Sequence, residues 1–116
     1  MVPLELLVMD EAAQLKECES AILLQLPGLR HAILIGGERQ LPALVESKIS
    51  EKAEFGRSLF HRLVLLGHEK HLLNVQYTMH PSISLFLKRE FYDNQILDGP
   101  NLNEMSYKKC FLDEKI

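Results

Sequence analysis

Two neighbouring carboxylates, Asp10 and Glu11, directly follow an apolar run of strand length. The run extends from Leu4 to Met9 and is interrupted only by Glu5, which is typical of a buried strand in a parallel sheet. The carboxyl edge of such a sheet is where α/β folds place their chemistry. One carboxylate there can hold Mg²⁺ while its neighbour polarises an attacking water. The pair therefore indicates magnesium-nucleotide chemistry, although a strand end can also carry two solvated acids.

Three short motifs occur in a fixed order along the chain. Residues 10–14 read D-E-A-A-Q, residues 35–42 read I-G-G-E-R-Q-L-P, and residues 76–81 read Q-Y-T-M-H-P. This trio resembles the second, third and fourth motifs of superfamily 1 helicases, and more narrowly the up-frameshift and senataxin-like branch of RNA and DNA helicases. In that branch the motifs read D-E-A-x-Q, G-D-x-x-Q-L-P and Q-Y-R-M-H-P. The connecting segments are similar too, so the resemblance covers residues 4–99.

The resemblance implies an ATP-dependent motor that couples nucleoside-triphosphate hydrolysis to the unwinding of RNA or DNA, with ATP and Mg²⁺ as cofactors. It also implies a partial RecA-like P-loop NTPase fold, which is an α/β fold with parallel strands, crossover helices and, here, an incomplete sheet. By the resemblance, Asp10 holds Mg²⁺ at the nucleotide, and Glu11 is the catalytic base, which reaches the metal through water. Gln40 would act in catalysis by sensing the γ-phosphate, and Gln14 would add a polar contact at the nucleotide site.

The chain departs from this branch at two motif positions. Gly37 stands where the third motif has aspartate, and Thr78 stands where the fourth has arginine. An arginine that neutralises the transferring phosphoryl group contributes about 10³ to 10⁵ in rate, and threonine has no charge to replace it. The sequence also contains no G-x-x-x-x-G-K-[ST] phosphate loop. We therefore expect a helicase fragment that is inactive alone. The alternative is a non-catalytic interaction or decoy fragment derived from a helicase gene.

Apolar periodicity predicts the elements that must position these residues. A helix is predicted over Lys16–Leu26, ended by a proline–glycine pair, and a second short apolar strand over Ala32–Ile35. A strand, a helix and a second apolar strand predict a parallel crossover unit. Residues 41–55 have no clear pattern and are expected to be irregular.

The second half of the chain has two further helical patterns. One helix is predicted after Ser58, which can cap it, and before Gly67, which can end it. A third strand is expected at Leu72–Tyr77, followed by a helix that begins at Pro81. Residues from Gly99 to Ile116 lack periodicity, which indicates a loose tail. The apolar face of the last helix is formed by Ile83, Phe86, Leu87 and Phe91.

The resemblance also implies a division into two domains. Residues 1–68 would be the C-terminal part of a first RecA-like domain, and residues 69–116 the start of a second one with the loose tail. In the related fold, the strand Ala32–Ile35 lies beside the phosphate-loop strand, which this sequence lacks. Its edge would then be bare and apolar, and exposed strand edges invite pairing with another chain. We expect self-association or a protein partner at this edge.

Composition bears on four further properties of the protein, which are nucleic-acid binding, disulfide bonds, zinc binding and membrane insertion. Thirteen basic and sixteen acidic side chains give a net charge of −3, so no overall positive field attracts nucleic acid, which is a partner only by the resemblance. Two cysteines make neither a disulfide framework nor a metal knuckle. His61, His68 and His71 lie close in sequence, but no cysteine accompanies them, which disfavours zinc. No apolar stretch approaches the ~20 residues that cross a bilayer. We expect an intracellular protein, nuclear or cytoplasmic, with no membrane role.

Overall fold

A computed structural model of the chain describes residues 2–103 and divides the chain into two compact units, Met1–Lys70 and His71–Ile116. The first unit contains β1 (Leu6–Met9), α1 (Glu17–Leu24), β2 (His31–Leu34), α2 (Lys48–Lys52) and α3 (Leu59–Leu65), with a 3-10 turn at Ala12–Gln14. The second unit contains β3 (Val75–Gln76), α4 (Pro81–Phe91) and β4 (Leu97–Asp98), with a 3-10 turn at Pro100–Asn103. The chain is thus a small α/β protein with two short parallel strand pairs.

The first unit is built around a parallel pair of strands, β1 and β2, connected through α1. This arrangement confirms the predicted crossover unit. Met9, at the end of β1, is buried, and Leu34 opposite it is half-buried. The other face of the pair is open, because Val8 and Ile33 lie opposite each other and are 53% and 49% exposed. No element among the described residues packs on this apolar face. It is unusual in this respect, because parallel sheets are normally covered on both faces.

The segment after β2 is less irregular than its sequence pattern suggested. Residues 41–55 were expected to be irregular, but they contain the short helix α2, which begins after Ser47 because the Ser47 hydroxyl accepts a hydrogen bond from the Ser50 N–H. The next helix, α3, is confirmed. Its first turn is capped by Ser58, whose hydroxyl accepts from the His61 N–H at 3.0 Å.

The second unit differs more from expectation. The strand predicted over Leu72–Tyr77 shortens to the two residues of β3, because its partner β4 is equally short and the chain leaves the sheet after Gly99 for the 3-10 turn Pro100–Asn103. The strand β4 itself was not predicted. The helix α4 begins at Pro81 as predicted. Residues 104–116, the rest of the predicted loose tail, lie outside the described residues.

Burial in the second unit does not follow the apolar pattern of α4. The face predicted to be apolar is largely exposed, with Ile83 at 60% and Phe86 at 56%. The buried residue of α4 is Ser84, whose hydroxyl has polar partners inside the unit. The turn after β4 buries Leu102 completely, so residues 99–103 are packed where the sequence pattern indicated a loose segment.

The apolar core of the described residues is small. Both units leave large apolar side chains exposed and bury few others. Because burial of apolar area is the main favourable term in folding, each unit presents more apolar surface than its own elements cover. The buried apolar residues are Met9, Ala12, Ala13, Ile96 and Leu102.

Candidate functional site

Three of the four residues predicted to act at the nucleotide lie together at the carboxyl end of β1. Asp10 and Glu11 are exposed and follow the strand directly. The Asp10 Oδ1 atom accepts a hydrogen bond from the Glu11 N–H at 2.9 Å, and the Glu11 Oε2 atom accepts one from the Gln14 amide at 3.4 Å. The structure thereby links Asp10, Glu11 and Gln14 in one turn whose carboxylates face solvent.

The backbone at Glu11 has a left-handed conformation, with φ of 52°. An L-residue other than glycine pays about 1 kcal/mol for this conformation. The turn is retained because the Gln14 N–H donates to the Glu11 carbonyl at 2.9 Å and the buried Ala12 is tied to the neighbouring strand. Such strained backbone is frequent at functional sites.

A backbone hydrogen bond joins the turn after β1 to the loop after β2. The Ala12 N–H donates to the Ile35 carbonyl at 2.8 Å. Gly36 then passes so close that a Cβ atom on it would lie 3.1 Å from the Ala13 nitrogen. The second and third motifs are therefore in direct contact. Sequence reasoning overlooked Ala12, Ala13 and Gly36, whose small size permits this approach, and the only signal for them was their position inside the motifs.

Gln40 lies in a pocket beside this turn and not within the hydrogen-bonded group of Asp10, Glu11 and Gln14. Its side chain packs on Gly37, where an added Cβ would be 3.1 Å from the Gln40 Cγ, Cδ and Nε2 atoms. The pocket has a volume of about 40 Å³, enough for a water molecule. Its other lining residues are Ala13, Glu38, Pro42, Gly56, Arg57, Ser58 and His61.

Charged residues to which the motifs assigned no role lie at or near this pocket. Glu38 forms an ion pair with Lys70, and the hydrogen bond from the Lys70 ammonium lowers the pKa of the Glu38 carboxyl. The Arg57 Nη1 atom lies 3.0 Å from the Glu54 carboxylate. The Arg57 Nε atom is buried without a hydrogen-bond partner among the described residues. The pocket therefore presents both signs of charge close to Gln40.

In the second unit, the fourth motif is fixed by Gln76. The Gln76 Oε1 atom accepts from the N–H groups of Thr78 and Met79 at 3.1 and 2.8 Å, while its Nε2 atom donates to Asp98 at 2.6 Å. Asp98 also pairs with Lys88 at 2.8 Å. Hydrogen bonds from Lys88 and then Gln76 lower the pKa of the Asp98 carboxyl to about 2. Sequence reasoning overlooked Asp98 and Lys88, because neither belongs to a recognised motif.

The carboxylates of Asp10 and Glu11, at the end of β1, are compatible with a metal site that the protein shares with a bound phosphate chain. The described residues contain no group of three or more His, Cys, Asp or Glu side chains that could enclose a metal ion. Mg²⁺ does not need such a cage, because it is commonly held by one or two carboxylates, waters and substrate phosphates. The exposed Asp10 carboxylate, with Glu11 beside it, fits Mg²⁺ bound together with a phosphate chain and not a metal site made by protein alone.

No helix in the described part of the chain is long and apolar enough to cross a membrane.

Comparison with known proteins gives a consistent family. A family model described as an AAA domain matches residues 55–115. Helicase sen1 of Schizosaccharomyces pombe is 37% identical over 109 residues, which cover 93% of this chain and 6% of the relative. Helicase SEN1 of Saccharomyces cerevisiae is 38% identical over 102 residues, covering 88% of this chain and 4% of the relative. ATP-dependent helicase upf1 of Schizosaccharomyces pombe is 38% identical over 97 residues, covering 84% of this chain and 10% of the relative.

The α/β fold and the two joined motifs thus occur in a chain that matches helicases along most of its length. The chain belongs to the AAA domain family and, within it, to the up-frameshift and senataxin-like branch of superfamily 1 helicases, as the motif resemblance predicted. It spans a tenth or less of the length of the three relatives named.

Proposed function

We propose that this chain is the part of an ATP-dependent helicase motor that brings the metal ligand, the hydrolytic base and the γ-phosphate sensor to one sheet edge. The observation that carries this proposal is the hydrogen bond from the Ala12 N–H to the Ile35 carbonyl. It joins the D-E-A-A-Q turn to the loop that leads to Gln40, at the carboxyl ends of two parallel strands. That edge is where open α/β sheets bind their ligands.

Each candidate residue has a role that its surroundings support. Asp10 offers an exposed carboxylate to Mg²⁺, and Glu11 accepts a proton from the attacking water. The amide of Gln14, hydrogen-bonded to the Glu11 carboxylate, orients that base. Gln40 contacts the γ-phosphate once its side chain leaves the pocket over Gly37. Bound Mg·ATP supplies the electrophilic phosphorus and the charge that stabilises its transfer.

The two units correspond to parts of two RecA-like domains, residues 1–68 and 69–116. Two observations support this assignment: the parallel strand pair within each unit and the exposed apolar surface that each retains. A RecA-like sheet has more parallel strands and helices on both faces. The open face formed by Leu6, Val8 and Ile33 would then be covered by other chain, either further helicase sequence or a second copy in self-association.

The partner of the whole motor is RNA or DNA, and its compartment is intracellular, nuclear or cytoplasmic. The support for a nucleic-acid partner is the family and not a positive surface, because the net charge of the chain is −3. The 116 residues alone have negligible ATPase activity, since the sequence contains no phosphate loop and Thr78 replaces a charged arginine.

A complementation assay tests this proposal. The chain, carrying Thr78→Arg, is mixed with a fragment of a related helicase that carries the phosphate loop, and ATP hydrolysis is measured with and without single-stranded RNA or DNA. Turnover that appears only in the mixture and disappears with Glu11→Gln supports the proposal. Turnover by the chain alone, or turnover in the mixture that survives Glu11→Gln, contradicts it.

A second candidate function, a non-catalytic decoy, is favoured by the uncharged Thr78 on an exposed loop position. In the same assay, a decoy would inhibit an intact relative and restore no turnover to the phosphate-loop fragment.

A further inference from the structure

The loop Gln76–Met79 is held from within by a single amide. Besides accepting from the Thr78 and Met79 N–H groups, the Gln76 side chain donates through Nε2 to the Met79 carbonyl at 2.9 Å. An amide nitrogen has two hydrogens, and the second donates to the Asp98 Oδ1 atom at 2.6 Å. The donor and acceptor capacity of this amide is thus fully used. A flipped amide would point its NH₂ group at two N–H donors and its oxygen at a carboxylate.

Asp98 is itself held on its other sides by α4. The Ser84 hydroxyl lies 2.8 Å from the Asp98 Oδ1 atom, and the Lys88 ammonium lies 2.8 Å from Oδ2. Ser84 is completely buried, and the Lys88 and Asp98 side chains are 16% and 22% exposed. Hydrogen bonds between charged groups are roughly twice as strong as neutral ones. Asp98 therefore connects the helix to the loop through two hydrogen bonds and an ion pair.

The loop presents residue 78 outward while its backbone is fixed. Thr78 is exposed, yet its N–H is bound by Gln76. A second contact holds the preceding residue, because the Asn101 amide donates to the Tyr77 carbonyl at 2.9 Å. Gly99 lies so close to the Tyr77 ring that a Cβ atom there would overlap it. The backbone around residue 78 is thus fixed by β4 and the turn that follows it.

We infer that Asp98 is a positioning residue, which sets the conformation of the loop Gln76–Met79 and thereby the direction in which residue 78 presents its side chain. The loop geometry stands on the contacts above. Only its consequence for nucleotide rests on the proposed function, in which Thr78 stands at the position of a charged arginine in the related helicases. A side chain placed at 78 would inherit a preorganised position, since the backbone beneath it is already ordered.

Backbone hydrogen exchange in the full 116-residue chain tests this inference without any nucleotide. In Asp98→Ala, the Thr78 and Met79 amides should exchange about tenfold faster, because the Gln76 amide loses its anchor. Amides within α4 lose only the Ser84 and Lys88 contacts to Asp98 and should accelerate less than the two loop amides. Glu90→Ala is the matched control, since it removes an exposed carboxylate from α4 and leaves the loop contacts intact.

Exchanging the donor and acceptor roles of residues 76 and 98 distinguishes a positioning role of Asp98 from a general effect on stability. Gln76→Glu alone places a carboxylate against Asp98 and should speed the exchange of both loop amides about tenfold or more. In the double variant Gln76→Glu with Asp98→Asn, the asparagine amide donates to the new carboxylate, which still accepts from both loop N–H groups. We expect the double variant to exchange about threefold or more slower than Gln76→Glu alone. It should stay faster than the wild type, because a carboxylate cannot donate to the Met79 carbonyl as the Gln76 amide does. The comparison of Gln76→Glu with the double variant still tests the positioning role of Asp98 if Asp98→Ala does not fold.

Two results would overturn the inference. One is unchanged exchange at Thr78 and Met79 in Asp98→Ala, and the other is a double variant no slower in exchange than Gln76→Glu alone. A uniform rise across the second unit would assign Asp98 a general structural role and would also overturn it. Because no nucleotide is present, failure here leaves the ATPase proposal standing, and failure of the complementation assay leaves this inference standing.

Discussion

The side chain of Gln40 packs directly on Gly37, leaving no ordinary space for a Cβ atom at residue 37. The two residues belong to the same motif, and Gly37 stands where the related helicases have aspartate. The position of the Gln40 side chain is therefore matched to glycine at 37, in the sense that this side chain occupies the space that a Cβ atom at 37 would need. Any larger residue at 37 must displace Gln40 by a few tenths of an ångström.

A double-mutant cycle checks this match. Gly37→Ala in the wild type should be destabilising, by up to about 1 kcal/mol, because the added methyl group crowds Gln40. In a Gln40→Ala background, the same substitution should be neutral or stabilising by about 0.5 kcal/mol, because alanine reduces the entropy of the unfolded chain. Urea unfolding of the four proteins measures the coupling. Equal effects of Gly37→Ala in both backgrounds would contradict the match.

Because the backbone at Glu11 is left-handed, replacing Glu11 by glycine is predicted to stabilise the folded chain. Glu11→Gly should raise the free energy of unfolding by about 0.5–1 kcal/mol, because glycine adopts a φ of 52° without the penalty of a Cβ atom. Glu11→Gln is the matched control and should leave stability nearly unchanged, since it keeps the Cβ atom. Thermal or urea unfolding provides the comparison, and a Glu11→Gly variant less stable than Glu11→Gln would refute a strained turn.

The lowered pKa of Asp98 predicts acid sensitivity in the second unit. Its pKa falls from the ordinary value of 3.8 to about 2 in the folded chain, so the unfolded chain binds the proton more tightly. The stabilisation is therefore complete above pH 4 and is lost as the pH falls through about 2. Because the side chain is partly exposed, we expect a loss of about 1–2 kcal/mol. Urea unfolding at pH 5 and pH 2 should show this difference for the wild type relative to Asp98→Asn, and equal losses in both would contradict it.

The open face of the first strand pair predicts association. Ile33→Lys should lower the average mass measured by light scattering at tens of micromolar, because a charge on this face prevents apolar contact between copies. Leu44→Lys is the control, since Leu44 is 82% exposed but lies in the segment after β2. A monomeric wild type, or an equal effect of both substitutions, would contradict association through the strand pair.

Local signals in the sequence predicted much of the fold. The serine cap of α3 and the proline at the start of α4 act within one helical turn, so both were predictable. The strand β4 was not, because a two-residue strand exists only through its pairing with Val75 and Gln76, some twenty residues earlier in the chain.

In the candidate site too, contacts between near neighbours in sequence were predictable, whereas contacts between distant residues were not. Asp10, Glu11 and Gln14 are near neighbours in sequence, and their contacts follow from one turn. The contact between Gln76 and Asp98 joins residues 22 positions apart through side chains alone. No periodicity or motif in the sequence reports such a pair. The exposed apolar face of α4 is a further exception, because buried polar contacts of Ser84 and Lys88 orient the helix against its hydrophobic pattern.

The most direct test of the central claim is a chimera. This chain replaces its counterpart in the ATP-dependent helicase upf1 of Schizosaccharomyces pombe, with arginine restored by Thr78→Arg. ATP hydrolysis measured with RNA or single-stranded DNA should be recovered, should fall about 100-fold or more when Thr78 is kept, and should be abolished by Glu11→Gln. A folded, nucleotide-binding chimera without hydrolysis, or one whose hydrolysis survives Glu11→Gln, would contradict the roles proposed for this chain.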